Sequence, residues 1–288
     1  RVAFQGIHGA YSELAARTFF GPHCRTLPFE RFDQVFDAVE RKKADRAVVP
    51  IENSLAGSIH ENYDLLLAHT LHIVGEIHLR IEHALLCHPS AQRHDLVAVR
   101  SHPIVFEQCS QFLARYPRLK REAYFDTAGA AQSIASNNDR CVAAIAGVHA
   151  ARMYGLKILR RNIENRAHNF TRFLILARSP RVPHRKVRTK TSIVFMPKVN
   201  EPGVLFRCLG VFYVRSIDLL KIESRPDPDS PFEYMFYLDV EGNPNQRRVA
   251  EALEHLQEIT KMFRVLGAYP MGKGNFYGAA GKSRKERR

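Results

Sequence analysis

Three short polar stretches hold side chains suited to chemistry on a small acid. Glu52-Asn53-Ser54 follows the apolar run Ala47-Val48-Val49-Pro50-Ile51. An amide and a hydroxyl therefore stand at the end of a buried strand, suited either to bind a carboxylate or to cap a helix. Ser101-His102-Pro103 ends a strand-like run and opens a helix, with Pro at a favoured first-turn position. Backbone N–H groups at such a start point outward and favour anions. Asn169-Phe170-Thr171-Arg172-Phe173 sets a hydroxyl beside a fixed cation at a strand start, and the planar Arg fork matches a carboxylate. Other familiar chemistries lack their residues. Gln5-Gly6-Ile7-His8-Gly9 has neither the third Gly of a dinucleotide fingerprint nor the Lys-Ser/Thr of a phosphate-binding loop. His60-Glu61 has no second His at helical spacing and the 14 histidines are scattered, so no metal is expected. No G-x-S-x-G nucleophile elbow occurs.

The elements that must position these groups fall into two rhythms. Up to about residue 180, strand-like and helix-like runs alternate. Val2 to Gln5 reads as a strand, Ser12 as the cap of a helix that Gly21 ends, and Phe32, Val35, Phe36 and Val39 as a helical stripe. Leu71 to Leu86 holds an alternating run, Leu96 to Val99 a strand, and Asp126 or Thr127 caps a helix through Ala135. Val142 to Ala146 and Phe173 to Ala177 are further strands. Repeated strand-helix-strand units predict an α/β fold with parallel sheet and flanking helices. After Pro180 and Pro183 the order becomes βαββαβ, the ferredoxin-like arrangement: strand Thr191 to Met196, helix Val204 to Val214, strands Ile217 to Ile222 and Phe232 to Val240, a stripe of Val249, Leu253, Leu256 and Ile259, and strand Phe263 to Tyr269.

The net charge of +14 over 288 residues suggests nucleic acid until it is located. Residues 178 to 190 carry six Lys/Arg and no acid, and residues 273 to 288 carry a net +5. Together they hold +11 and leave +3 for everything else. The excess is read as a solvated linker and a disordered tail, without the interleaved aromatics of a stacking surface, so no nucleic-acid partner is expected. No run of 18 apolar residues is present, so no membrane partner is expected. The five cysteines are odd in number and far apart, as for buried small hydrophobes in a reducing compartment. Residue 1 is Arg rather than Met, so targeting is not read from this end.

Taken together, the polar stretches resemble the prephenate-type dehydratases, in which a catalytic domain precedes an ACT regulatory domain. The Thr-Arg-Phe signature stands as Thr171-Arg172-Phe173, preceded by Asn169. The Glu-Asn-Ser-x-x-Gly element is Glu52-Asn53-Ser54-Leu55-Ala56-Gly57, and the opening Gly-x-x-Gly-x-Tyr-Ser is Gly6, Gly9, Tyr11 and Ser12. The regulatory Glu-Ser-Arg-Pro is Glu223-Ser224-Arg225-Pro226. The match covers about residues 1 to 271, in family order. LHIVGE, DTAGAA and RVLGAYPM resemble the plant and algal arogenate dehydratases. Three departures stand out: His8 where Pro is common, Asn165-Arg166 in place of an acidic-polar pair, and Gly203-Val204-Leu205 in place of Gly-Ala-Leu.

The resemblance implies a periplasmic-binding-protein-like catalytic domain of two lobes over residues 1–180. A basic linker would follow at 181–190, then an ACT domain at 191–271 and a basic tail at 272–288. It implies removal of CO2 and a ring hydroxide, turning arogenate into phenylalanine or prephenate into phenylpyruvate, with no redox cofactor or metal. Thr171 would contact the departing hydroxyl, Arg172 a substrate carboxylate, and Phe173 would dry the wall. Asn53, Ser54, Gly57, Ser12, Ser101, Thr127 and Asn169 would bind substrate. Gly203, Val204, Leu205 and Glu223 to Pro226 would bind phenylalanine as effector between subunits of a dimer or tetramer. The plant likeness implies the plastid stroma, with a transit peptide absent from this chain; a cytoplasmic protein is the alternative. A non-catalytic amino-acid sensor is the competing class, and intact Thr171 and Arg172 argue against it.

Overall fold

A computed structural model describes residues 1–181, 183, 187–227 and 230–272. The chain forms two compact units that are not consecutive in sequence. The first is Arg1–Leu71 with Leu79–Arg178, and the second is His72–His78 with the residues from Ser179 onward.

The first unit has two lobes, each built on its own sheet. In chain order the first lobe holds β1 (Val2–Gln5), α1 (Tyr11–Phe20), β2 (Thr26–Phe29), α2 (Phe32–Glu40), β3 (Arg46–Asn53), β4 (Gly57–Ser58) and α3 (His60–Ala68). Strand β5 (His72–Arg80) starts in the second unit and ends in the first. The second lobe holds β6 (Ala84–Cys87), β7 (Ala98–Ser101), α4 (Pro103–Gln108), α5 (Ser110–Leu113), β8 (Lys120–Ala123), α6 (Thr127–Asn137), β9 (Val142–Ala146), α7 (Val148–Tyr154) and β10 (Lys157–Arg160). β11 (Phe170–Ala177) returns to the first lobe.

The sheets are mixed rather than parallel as expected. β1 runs parallel to β2 and β3, but β11 lies antiparallel to β3. In the second lobe β7 is parallel to β8 and β9, while β6 is antiparallel to β9 and β10. The reversed strands are those that carry the chain into a lobe from the other one, so they enter from the opposite end. β9 is buried along its whole length. Val142, Ala144 and Ala146 pack into the core on one face of the sheet, and Ala143 and Ile145 into the core on the other. Such a strand reads as a continuous apolar run.

The expected cap at Ser12 is not made. Helix α1 begins after Ala10 with no side-chain cap, and Ser12 lies inside its first turn. Glu13 takes the work instead, accepting from the Gly9 N–H at 2.7 Å, because a buried acid one turn in can reach back to the loop amide. At α6 the alternatives resolve to Asp126, whose side chain accepts from the Gly129 N–H, with Thr127 as the first helical residue.

The second unit is βαββαβ: β12 (Thr189–Pro197), α8 (Val204–Tyr213), β13 (Leu219–Asp227), β14 (Ser230–Glu241), α9 (Arg247–Ile259) and β15 (Thr260–Pro270). The strand order is β13-β14-β12-β15, with all pairs antiparallel. Val211 and Phe212 of α8 and Val249, Leu253 and Leu256 of α9 pack on Ile193, Phe195, Leu238 and Val240 of one sheet face.

The basic stretch is not a solvated linker at its ends. Arg178 donates to the carbonyls of Val39 and Ala44 at 2.7 and 2.8 Å, closing the C-terminal end of α2. Lys190 is wholly buried in β12, its Nζ 3.1 Å from Glu76 Oε2 and 3.8 Å from Asp239 Oδ2. Glu76 also accepts from the Gly272 N–H at 2.9 Å. The backbone of β5 passes so close to β15 that a Cβ at Gly267 would lie 2.0 Å from the Ile73 carbonyl oxygen, which requires glycine there. Residues 182 and 184–186 of the expected linker, and 273–288 of the expected tail, lie outside the described residues. No described helix is long and apolar enough to cross a membrane.

Candidate active site

Strands β3 and β11 bring two of the polar stretches together. Their register sets Asn53 opposite Thr171 and Arg172 opposite Glu52, with an irregularity before Phe173. Cross-strand partners share one sheet face, and Asn53 uses this position fully. Its Nδ2 donates to Thr171 Oγ1 at 2.9 Å and to Asn169 Oδ1 at 2.8 Å, and its Oδ1 accepts from the N–H groups of Leu55 and Ala56 at 3.0 and 2.9 Å. The two loop amides fix the orientation of the Asn53 amide. Thr171 Oγ1 therefore accepts from Asn53, and its own proton is left to donate elsewhere. Ser54 ties the same loop to β11: its N–H reaches the Phe170 carbonyl at 2.8 Å and its Oγ accepts from the Phe170 N–H at 2.9 Å.

Asn169 carries the network to the second lobe. Its Nδ2 donates to Gln108 Oε1 on α4 at 3.4 Å, and the same oxygen stands 2.9 Å from His83 Nε2. His83 Nδ1 lies 3.4 Å from Tyr11 Oη of α1, and Tyr11 donates to the Glu82 carbonyl at 2.6 Å. Thr171, Asn169, His83 and Arg172 are buried, between 0 and 9% exposed. Burial lowers the His83 pKa, so the ring is neutral, and it raises that of Tyr11. Cys109, next to Gln108, is pushed up to about 12 by burial and stays a thiol.

A cavity of about 340 Å³ opens beside this network, lined by Ser54, Leu55, Ala56, Ile104, Glu107, Gln108, Asn165 and Arg166. Asn165 is spent on structure, its amide bonding the Glu107 carbonyl and Ser110 Oγ, each at 2.9 Å. Arg166 is an exposed cation at the mouth. Asp126, at the start of α6, faces the Gly6 turn with one carboxyl oxygen buried and unpartnered, and burial raises its pKa.

Several expected residues stand differently. The Ser101 hydroxyl donates to the Ile145 carbonyl at 2.7 Å inside the second lobe, holding β7 to β9 rather than facing a ligand. Gly57 is exposed opposite Asn53 in β4, and Phe173 is 2% exposed, part of a wall rather than a surface. Gln108, His83 and Asp126 were absent from the expected binding residues. Nothing in their spacing marks them, since a lone amide, imidazole or capping acid is ordinary in any sequence. Among the described residues, Asp37, Glu40 and His69 group their ligand atoms within 4.8 Å, but Glu40 already holds His69 and Thr70, and Asp37 holds Arg41.

In the second unit, Gly203 precedes α8 with φ of +84°, a left-handed conformation that glycine adopts freely, and a Cβ there would meet open space. Glu223-Ser224-Arg225-Pro226 lies within β13. Ser224 pairs with Phe236, on the helix-bearing face, whereas Glu223 pairs with Tyr237 on the other face and forms an ion pair with Lys221 at 3.4 Å. Val204 and Phe236 line a cavity of about 50 Å³ beside this face. Glu223 and Ser224 of one chain thus present to opposite sides of the sheet.

A family model described as prephenate dehydratase matches residues 2–181. An arogenate dehydratase/prephenate dehydratase of Arabidopsis thaliana, named as chloroplastic, is 48% identical over 285 residues, covering 94% of this chain and 72% of its own. The solved prephenate dehydratase of Arthrobacter aurescens in complex with L-Phe superposes with a TM-score of 0.86 at 28% identity, covering 93% of this chain and 89% of that one. A solved structure described as GqqA, a quorum-quenching acylase, also gives 0.86, at 36% identity, covering 94% of this chain and 97% of that one.

Proposed function

The chain belongs to the prephenate dehydratase family, and from that premise we propose that it converts arogenate to phenylalanine by decarboxylating dehydration. The observation that supports this reading most is the Asn53–Thr171 hydrogen bond. Loss of CO2 leaves an electron pair that enters the ring as the C–O bond to the ring hydroxyl breaks, and the departing hydroxide must receive a proton. Thr171 has a proton to offer because its oxygen already accepts from Asn53, and that contact polarises the hydroxyl in a dry setting. Arg172 holds a carboxylate in the reactive geometry. Prephenate, with a keto group in place of the amino group, is the alternative substrate. The test is kcat/KM on both compounds side by side. Higher kcat/KM on arogenate supports the reading, higher kcat/KM on prephenate moves it to phenylpyruvate formation, and turnover of neither removes it.

We further infer that phenylalanine acts as feedback effector in the second unit, near Gly203 and Ser224, where α8 begins. The related complex with L-Phe supports an effector of this kind. The chain works as a homo-oligomer. Phe206, Tyr213 and Val214 of the α8 segment are 80, 84 and 70% exposed, an apolar surface of the kind that partners cover. Phe206→Glu with Tyr213→Glu, which puts charge on this apolar surface, should yield monomers by light scattering. The chloroplastic names of several relatives support action in the plastid stroma, which a fluorescent fusion of the protein would test.

A further inference from the structure

Hydrogen-bond direction in the cleft fixes more than Thr171. Gln108 Oε1 is approached by two donors, His83 Nε2 at 2.9 Å and Asn169 Nδ2 at 3.4 Å. The Asn169 amide cannot turn round, because its oxygen accepts from Asn53, which is itself fixed by two backbone amides. With its oxygen held by two donors, the Gln108 NH2 must point the other way, toward the cavity that Gln108 lines. A half-turn of the amide would set its NH2 against both an N–H of His83 and the NH2 of Asn169.

His83 is built to give one answer. It is 1% exposed, and its backbone N–H donates to Glu164 Oε2 at 3.0 Å, a carboxylate also held by Arg80 at 3.4 Å. A neutral imidazole carries one proton, and an acceptor at Nε2 draws it to that nitrogen. Tyr11 gives its proton to the Glu82 carbonyl at 2.6 Å, so its oxygen is a second acceptor, 3.4 Å from Nδ1; the proton goes to Nε2, whose contact with Gln108 is the shorter at 2.9 Å.

We propose that His83 is a positioning residue: its Nε2–H locks Gln108 so that the amide NH2 donates to a substrate oxygen on which charge develops as the C–O bond breaks. This rests on the dehydratase reading above. A donor aimed at developing charge contributes in the transition state more than in the ground state, so its loss lowers kcat with little change in KM.

The test compares His83→Gln, His83→Leu, Gln108→Leu and the double variant His83→Leu/Gln108→Leu in the full chain, by arogenate kinetics with thermal unfolding alongside. A glutamine amide keeps a donor near the place of Nε2, whereas leucine has none. The expected result is His83→Gln within about 3-fold of wild type in kcat, and His83→Leu down about 10- to 100-fold, the cost of a misplaced group. In the Gln108→Leu background, the His83→Leu change should cost no further turnover. Equal losses in His83→Gln and His83→Leu, or undiminished loss in the double variant, would overturn the proposal. If His83→Leu does not fold, His83→Gln decides alone: turnover near wild type supports the lock, and a loss as large as that of Gln108→Leu overturns it. A wild-type chain inactive on arogenate and prephenate would overturn the dehydratase reading itself, and the lock with it.

Discussion

Thr171 and Asn53 act as a pair because one side chain can only donate at that contact and the other is left with a proton to give. Thr171→Ala should lower kcat/KM at least ~100-fold with the unfolding midpoint nearly unchanged, as stopped assays and calorimetry would show. Thr171→Ser, which keeps the hydroxyl, should recover most of that loss. Glu13 is a structural counterpart. Burial pushes its carboxyl up, but the Gly9 N–H, His8, Thr26 and Arg17 outweigh it and hold the pKa down at about 2. A depressed carboxyl stabilises the fold above its unfolded value near 4.5 and loses that contribution as pH falls through about 2. The shift amounts to about 3 kcal/mol. Glu13→Gln should therefore be less stable than wild type by about that much at pH 7, and the difference should close toward pH 2. A gap independent of pH in denaturant titrations would refute the assignment.

At the level of elements, α8 and β13 make a sharper statement about the effector than their motifs do. Gly203→Val would force a branched side chain into left-handed backbone, a cost of roughly 1–2 kcal/mol at the helix start. Both Gly203→Val and Ser224→Ala should weaken phenylalanine binding and relieve inhibition while uninhibited turnover stays near normal. Glu223→Gln, on the opposite sheet face, should leave phenylalanine affinity within about 3-fold. Isothermal titration on the three variants checks this, and unchanged affinity in the first two places the effector elsewhere. Strand alternation is legible once β13 is known to run from Leu219 to Asp227, but the sequence reading ends that strand at Ile222, short of Glu223 to Pro226. Pro in an edge strand costs no ladder bond when its nitrogen faces outward. The helical stripes of α2 and α9 and the apolar run of β9 were readable because burial there follows period alone. Ser101 and His83 were not, since a hydroxyl or imidazole takes its partner from whichever distant backbone or side chain the fold delivers.

Across the whole molecule, the charge ledger misled where a cation was buried. Lys190 was counted with a solvated run, yet it sits beside Glu76 and Asp239 with no exposed surface. Lys190→Met should destabilise the second unit by about 3–5 kcal/mol, because the carboxylates remain buried without their cation. Lys190→Met with Glu76→Gln should recover part of that loss in urea titrations. The same contact carries a consequence for how the chain is made. Glu76 and Lys190 are 114 residues apart. At typical elongation rates of about 5–20 residues per second, the ribosome delivers the segment around Glu76 roughly 6–23 seconds before its partner strand exists. During that interval an acid and an unpaired strand edge wait in the nascent chain, so this segment is where a trigger-type chaperone, or a pause in translation, would have the most to protect.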